Sequence, residues 1–273
     1  MALFELTCVA ILVLYVAVRG RAEPSWGAFV GRLAIVSIAG GIGEDLCIRW
    51  YGFYSYDERW SLFAGHVPVM VMAIWPFVIH SAWDISRALL GPGHRAVPLL
   101  GGAIVWADAS LIEPVAVQAG LWSWSEPGLF FVPPIAVLGW AYFAALCMAA
   151  WQRGGGGLRD LLVLPVAVTG AHVLLIATWW GALRWVNDTV PPAAGLVVIW
   201  ILSAAATVQV VRTGAAARVS RRTMWLRVPP ALLFGALLLQ HARDATGLIA
   251  YVAAFVPPYI VLTARGAPAP RAA

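Results

Sequence analysis

Four carboxyl groups stand out because they fall within or at the end of long apolar stretches: Glu44, Asp45, Asp108 and Glu113. A carboxylate inside a bilayer costs about 2.5–3.5 kcal/mol even on lenient scales, so each must face a cavity, find a cation or hold its proton. Asp108 lies near the middle of its stretch, and Glu113 follows five residues later. On a helix they point about 140° apart, too far to share a proton directly. Arg32, in an earlier apolar stretch, offers Asp108 a buried ion-pair partner, and the alternative is a catalytic role. Glu113 has no equally obvious cation, which points to function. Of Glu44 and Asp45, one reads as ordinary interfacial charge and the other as part of the same pocket as Glu113.

His80 and Asp84 are four residues apart and share a helix face, as a proton relay or a packing hydrogen bond requires. The other histidines, His66, His94, His172 and His241, show no repeated HxxxH spacing. That excludes the histidine-clustered di-iron desaturases and hydroxylases, and no metal site is expected. Cys8, Cys47 and Cys147 have no paired spacing that would suggest zinc or a disulfide framework. Neither a phosphate-binding loop nor a nucleophile elbow is present, and Gly154 to Gly157 reads as a flexible linker. The 15 Trp and 7 Tyr are a further signal. Trp50, Tyr51, Trp60 and Trp185 fit interfacial belts. Trp106, Trp122, Trp124 and Trp140 are candidates for a pocket wall, since aromatic faces attract cations.

The elements that must position these groups follow from composition. The chain has 273 residues, 62% hydrophobic and 11% charged, whereas soluble domains carry roughly a quarter charged residues. An all-α polytopic membrane protein of about eight or nine transmembrane helices is expected, forming one integral membrane domain over 1–273. The predicted spans are 2–18, 26–43, 64–83, 97–118, 131–151, 159–181, 192–211, 226–241 and 246–264. The last two are short and contain proline, so a single re-entrant hairpin is the alternative. The first stretch reads as a retained anchor because spanning-length stretches recur to the end of the chain.

All 18 basic residues are Arg, and the net charge is +5. In so apolar a chain this charge sets topology and does not indicate nucleic acid. Arginines concentrate in the loops after odd-numbered spans, which places the N-terminus outside and the C-terminal tail, 265–273, in the cytoplasm. Glu44, Asp45, Asp57, Glu58, Glu126, Asp188 and Asp244 then lie on the outer side, so the chemistry is expected to face that leaflet. The expected surroundings are membrane lipid, and nothing sets an oligomeric state.

An internal echo links two regions. Asp45 is followed seven residues on by Gly52-Phe-Tyr54-Ser-Tyr56, and Glu113 seven residues on by Gly120-Leu-Trp122-Ser-Trp124. Val67-Pro68 and Val132-Pro133 then open the next span in each copy. This predicts parallel two-helix repeats around one site; recurrence of interfacial aromatics and turn glycines is the plainer alternative.

The stretch 44–140 resembles the bacterial and archaeal family of membrane carotenoid hydratases. The resemblance rests on the acid before Gly52-Phe-Tyr-Ser-Tyr56, Val67-Pro68 with Trp75, Trp106-x-Asp108, Glu113-Pro114 before Gly120-Leu-Trp-Ser-Trp124, Val132-Pro133 and Gly139-Trp140. The chain departs from that pattern with Glu113 for an Asp, Ala136 for an Asn, and His66 for a small or apolar residue.

The resemblance implies water addition to the open end of an acyclic carotenoid or other hydrophobic isoprenoid, without metal or redox cofactor. The alkene is protonated to a tertiary carbocation, which requires a carboxylic acid kept neutral, as burial in an apolar site favours. Glu113 or Asp108 is the candidate acid, and Glu44 or Asp45 would assist water or take the returning proton. Tyr54, Tyr56, Trp106, Trp122, Trp124, Trp140, His66 and His80 are candidates to contact substrate. A terpene or carotenoid cyclase would share the first step, and a lipid or small-molecule transporter is the non-enzymatic alternative, with midplane charge and broken helices.

Overall fold

A computed structural model describes residues 1–154, 157–187 and 189–267. Asp188, the centre of the glycine linker and the tail beyond residue 267 lie outside the described residues. Among those described, nine helical stretches are long and apolar enough to cross a membrane. The chain is an all-α polytopic membrane protein, as expected where lipid offers the backbone no hydrogen-bond partner.

The helices that matter for the site are α1 (Ala2–Gly20), α2 (Trp26–Leu46), α3 (Val69–Leu90), α4 (Val97–Gln118), α5 (Pro134–Gly154) and α6 (Val163–Thr178). Helices α2 to α6 form a closed ring: each packs on the next, and α6 returns to α2. Outside the ring, α1 lies on α3, the helix Val228–His241 lies on α4, and the helices Pro192–Thr213 and Val256–Arg265 pack together. Large side chains such as Leu3, Leu99, Ile201 and Leu232 stay exposed on the outer faces, where lipid takes the place of a protein neighbour.

Several boundaries differ from the sequence expectation. Helix α2 continues beyond residue 43 to Leu46 and then through a π-helical turn, Cys47–Tyr51, before Gly52 ends it. Helix α3 starts at Val69, not 64, because Phe63–Ala64 pairs antiparallel with Val67–Pro68 in a short hairpin. Helix α5 starts at Pro134 because Phe130 and Phe131 hold positive φ, 53° and 66°. The two terminal stretches, Arg221–His241 and Thr246–Arg265, each have spanning length by themselves, so a re-entrant hairpin is not needed.

Candidate active site

The two echoed segments meet each other. Gly52 and Gly120 adopt φ of 61° and 68°, a left-handed conformation that only glycine takes without strain, and each turns the chain out of its helix. The strands that follow, Tyr54–Tyr56 and Trp122–Trp124, pair antiparallel with Ser55 opposite Ser123, Tyr54 opposite Trp124 and Tyr56 opposite Trp122. That register is what a local two-fold axis between the serines produces. Because side chains alternate across a strand, the four aromatics share one face and the serines take the other. The serines are exposed, while the Tyr54 and Trp124 rings lie 4.6 Å apart and Tyr56 and Trp122 5.8 Å apart.

Beneath the aromatics lie Glu44 and Glu113, both buried. Glu113 Oε2 accepts hydrogen bonds from the indole N–H groups of Trp122 (2.8 Å) and Trp124 (2.9 Å), and its Oε1 from that of Trp140 (2.8 Å). Glu44 Oε1 accepts from the Trp75 indole at 2.5 Å, and its Oε2 from the Tyr56 hydroxyl. Trp75 and Trp140 each follow their Val-Pro pair by seven residues, and their rings stack 4.4 Å apart. Each half therefore supplies one glutamate, one aromatic strand and one tryptophan from the next helix. Gly40 permits this on α2: a Cβ there would come within 2.8 Å of the Trp75 ring, so the missing side chain lets the indole lie one turn from Glu44.

The pairing of acids differs from the echo in the sequence. Counting back seven residues from the glycines matches Asp45 to Glu113, but the π-helical turn between α2 and Gly52 holds one more residue than an α turn. Glu44 thereby takes the inward position. Asp45 instead lies at the edge, with Arg49 Nε at 2.8 Å and His66 Nδ1 at 2.9 Å.

Glu44 and Glu113 line one open cavity of about 1040 Å³, its mouth included, with Tyr54, Tyr56, Trp75, Trp122, Trp124 and Trp140 in its wall. Among the described residues no arginine lines it, and the remaining wall is largely aliphatic and aromatic, including Ala136, Phe143 and Leu175. Burial, with the Glu44 carboxyl beside it, holds the Tyr56 hydroxyl well above the usual tyrosine range, and Tyr54 behaves likewise. Both hydroxyls thus remain available as donors.

The two carboxyls differ in what surrounds them. An indole N–H can only donate, so the three groups around Glu113 match a carboxylate and offer no acceptor to a carboxylic acid proton. A hydroxyl can donate or accept, so Tyr56 can serve Glu44 in either protonation state.

The remaining candidates fall elsewhere. Asp108 is ion-paired with Arg227 and accepts from the Tyr259 hydroxyl at 2.6 Å, in a second cavity. The expected Arg32 partner instead lies 3.4 Å from Asp160, with its guanidinium over Trp83 and Trp151. Asp108 therefore does not share the Glu113 cavity and is already neutralised. His80 is fully buried, 2.9 Å from the Tyr15 hydroxyl and 3.8 Å from Asp84, outside the wall of that cavity. His66 is exposed beside Asp45, and Trp106 packs near Ile199 and Phe255, neither in the wall of the glutamate cavity.

Trp75 and His172 also line the wall and were not among the sequence candidates for the site. Trp75 carried a usable signal, its spacing from Val67-Pro68 matching that of Trp140. His172, whose Nδ1 lies 3.0 Å from the Tyr51 hydroxyl, comes from α6, outside the echo, and nothing in its spacing marks it.

A protein-family model described as carotenoid biosynthesis protein matches residues 1–203, a range that contains both glutamates and every aromatic partner named for them. No curated protein and no solved structure matches the chain.

Proposed function

The chain belongs to the carotenoid biosynthesis protein family, and on that premise we propose that it is a membrane enzyme that protonates the terminal alkene of an acyclic carotenoid or related isoprenoid and adds water to it. The observation that carries this reading is a pair of buried glutamates, with no arginine beside them among the described residues, facing one apolar aromatic cavity.

In this mechanism Glu44 is the acid. Its carboxyl proton passes to the less substituted carbon of a trisubstituted alkene, and the alkene π electrons form the new C–H bond. The result is a tertiary carbocation and a Glu44 carboxylate. Glu113, held as an anion by its three indole donors, stabilises the positive charge, and the aromatic faces of Trp75, Trp122 and Trp140 add to this. Water then attacks the cation through oxygen, giving a tertiary alcohol after its extra proton returns to a carboxylate, Glu44 in the completed cycle. A general acid of this kind contributes about 10²–10⁴-fold in rate. No step requires a metal or redox group.

Ala136 in the cavity wall, where the hydratase pattern has Asn, favours a second reading. With fewer polar groups to hold water, the same cation would be captured by a neighbouring alkene and give a ring. The arginine distribution supports a site facing the outer leaflet.

Expression in a lycopene-producing host tests the reading. A product heavier by one water is the expected result, and a cyclic isomer would support the cyclase. Unchanged lycopene, together with unchanged supplied acyclic relatives, would remove the enzymatic reading and favour transport.

A further inference from the structure

The second cavity, about 820 Å³, is not needed for the protonation step, yet its position relates it to the glutamates. On three helices the lining residues of the two cavities succeed one another along the axis. On α3 the first cavity takes Val71, Ile74 and Trp75, and the second takes Phe77, Val78 and Ser81. On α4 the order from Glu113 through Ile112 to Leu111 and Asp108 spans about 7.5 Å of helix rise. On the helix Val228–His241, Phe234 lines both cavities, and Ala231 and Val228 line only the second. Ile112 and Phe234 are thus a shared partition between two chambers stacked along the bundle.

The far chamber suits a hydrocarbon chain despite its charges. Arg227 is matched by Asp108, with Tyr259 and Ser81 completing its hydrogen bonds, so among the described residues no unpaired charge faces the space. Ala231 lines the chamber and is itself exposed, so the chamber is not sealed on that side.

We propose that the second chamber holds the continuing polyene of the molecule whose terminal alkene lies between Glu44 and Glu113, so that the protein selects long chains by the space beyond Phe234. This rests on the isoprenoid reading of the first cavity. A short chain with the same terminus fits in the first chamber alone and gains nothing from the second. A long chain must pass the partition and lie between α3, α4 and the helix Val228–His241.

The test compares lycopene with myrcene, which carries the same dimethyl-substituted alkene terminus on a short chain. The full-length protein and its Glu44→Gln, Ala231→Trp and Phe234→Trp variants are purified in detergent from lycopene-producing cells, and retained pigment per protein is read by absorbance. Myrcene affinity is read on pigment-free protein from the ligand-induced shift in thermal midpoint. Wild type and Glu44→Gln are expected to retain pigment. Ala231→Trp and Phe234→Trp are expected to lose lycopene by at least about ten-fold more than they lose myrcene. Ala231 is exposed, so its variant remains informative if Phe234→Trp fails to fold. Equal losses for both ligands, unchanged pigment in both tryptophan variants, or no pigment on the wild type would overturn the proposal. Retained pigment with full turnover by Glu44→Gln would instead remove Glu44 as the acid and leave the two-chamber site standing.

Discussion

The half of the site built on α2 and α3 and the half built on α4 and α5 share a frame and differ in chemistry. Both leave a helix through a positive-φ glycine, run three residues of strand and place a tryptophan on the next helix. The first half puts tyrosines on its strand and the second puts tryptophans in the same places. The difference converts one carboxyl into a group whose proton has an acceptor beside it and the other into a group enclosed by obligatory donors. A repeated scaffold thus gives two glutamates unlike hydrogen-bond surroundings, as the proposed acid and cation-stabilising anion would require.

The comparison breaks most visibly at the glutamates themselves. Glu44→Gln should reduce turnover by about 10²–10⁴-fold while leaving the thermal midpoint near that of the wild type, because the new amide can donate to Tyr56. Glu113→Gln should lose turnover and also about 1–3 kcal/mol of stability, since its NH₂ meets a site of donors only. Product chromatography and thermal unfolding of the purified variants separate the two outcomes.

The tryptophans of the next helices sharpen it further. Trp140→Phe removes a donor from the anion, and a loss of about 10²-fold in kcat is expected, as for other preorganised charge-stabilising donors. Trp75→Phe removes a donor from the acid and should cost less. Equal effects in steady-state assays would argue against distinct roles.

Tyr56→Phe has a smaller effect, and its sign depends on pH. The Tyr56 hydroxyl is held above its ordinary value in the folded protein. Its contribution to stability is therefore complete below the ordinary tyrosine range and falls as pH rises through and beyond it. Wild type and Tyr56→Phe should differ most in thermal midpoint near neutrality and converge in alkali. The smallest effect belongs to the axis of the pair: Ser55→Ala and Ser123→Ala, at exposed hydroxyls 3.4 Å apart, should each change stability by less than about 0.5 kcal/mol.

Much of this was legible in residue order. Apolar stretches gave the helices, and the recurrence of Gly, aromatic-Ser-aromatic and Val-Pro identified the two segments that pair. The acid of the first half was misaligned by one residue because a π-helical turn has no distinct signature in apolar sequence. The partner of Asp108 was hidden for a different reason. Arg227 is 119 residues away, and among several buried or loop arginines nothing local distinguishes it from Arg32. His172 reaches the cavity only because α6 closes the ring onto α2, a packing fact that no periodicity encodes.

Whether Glu44 delivers the proton is tested most directly by turnover in D₂O, with deuterium in the product located by mass spectrometry and NMR. Wild type should place one deuterium on the carbon next to the new tertiary centre, and Glu44→Gln should place none above background in the same time. Deuterium incorporation by Glu44→Gln at the wild-type rate would contradict the assignment and move the acid to Glu113 or to another group.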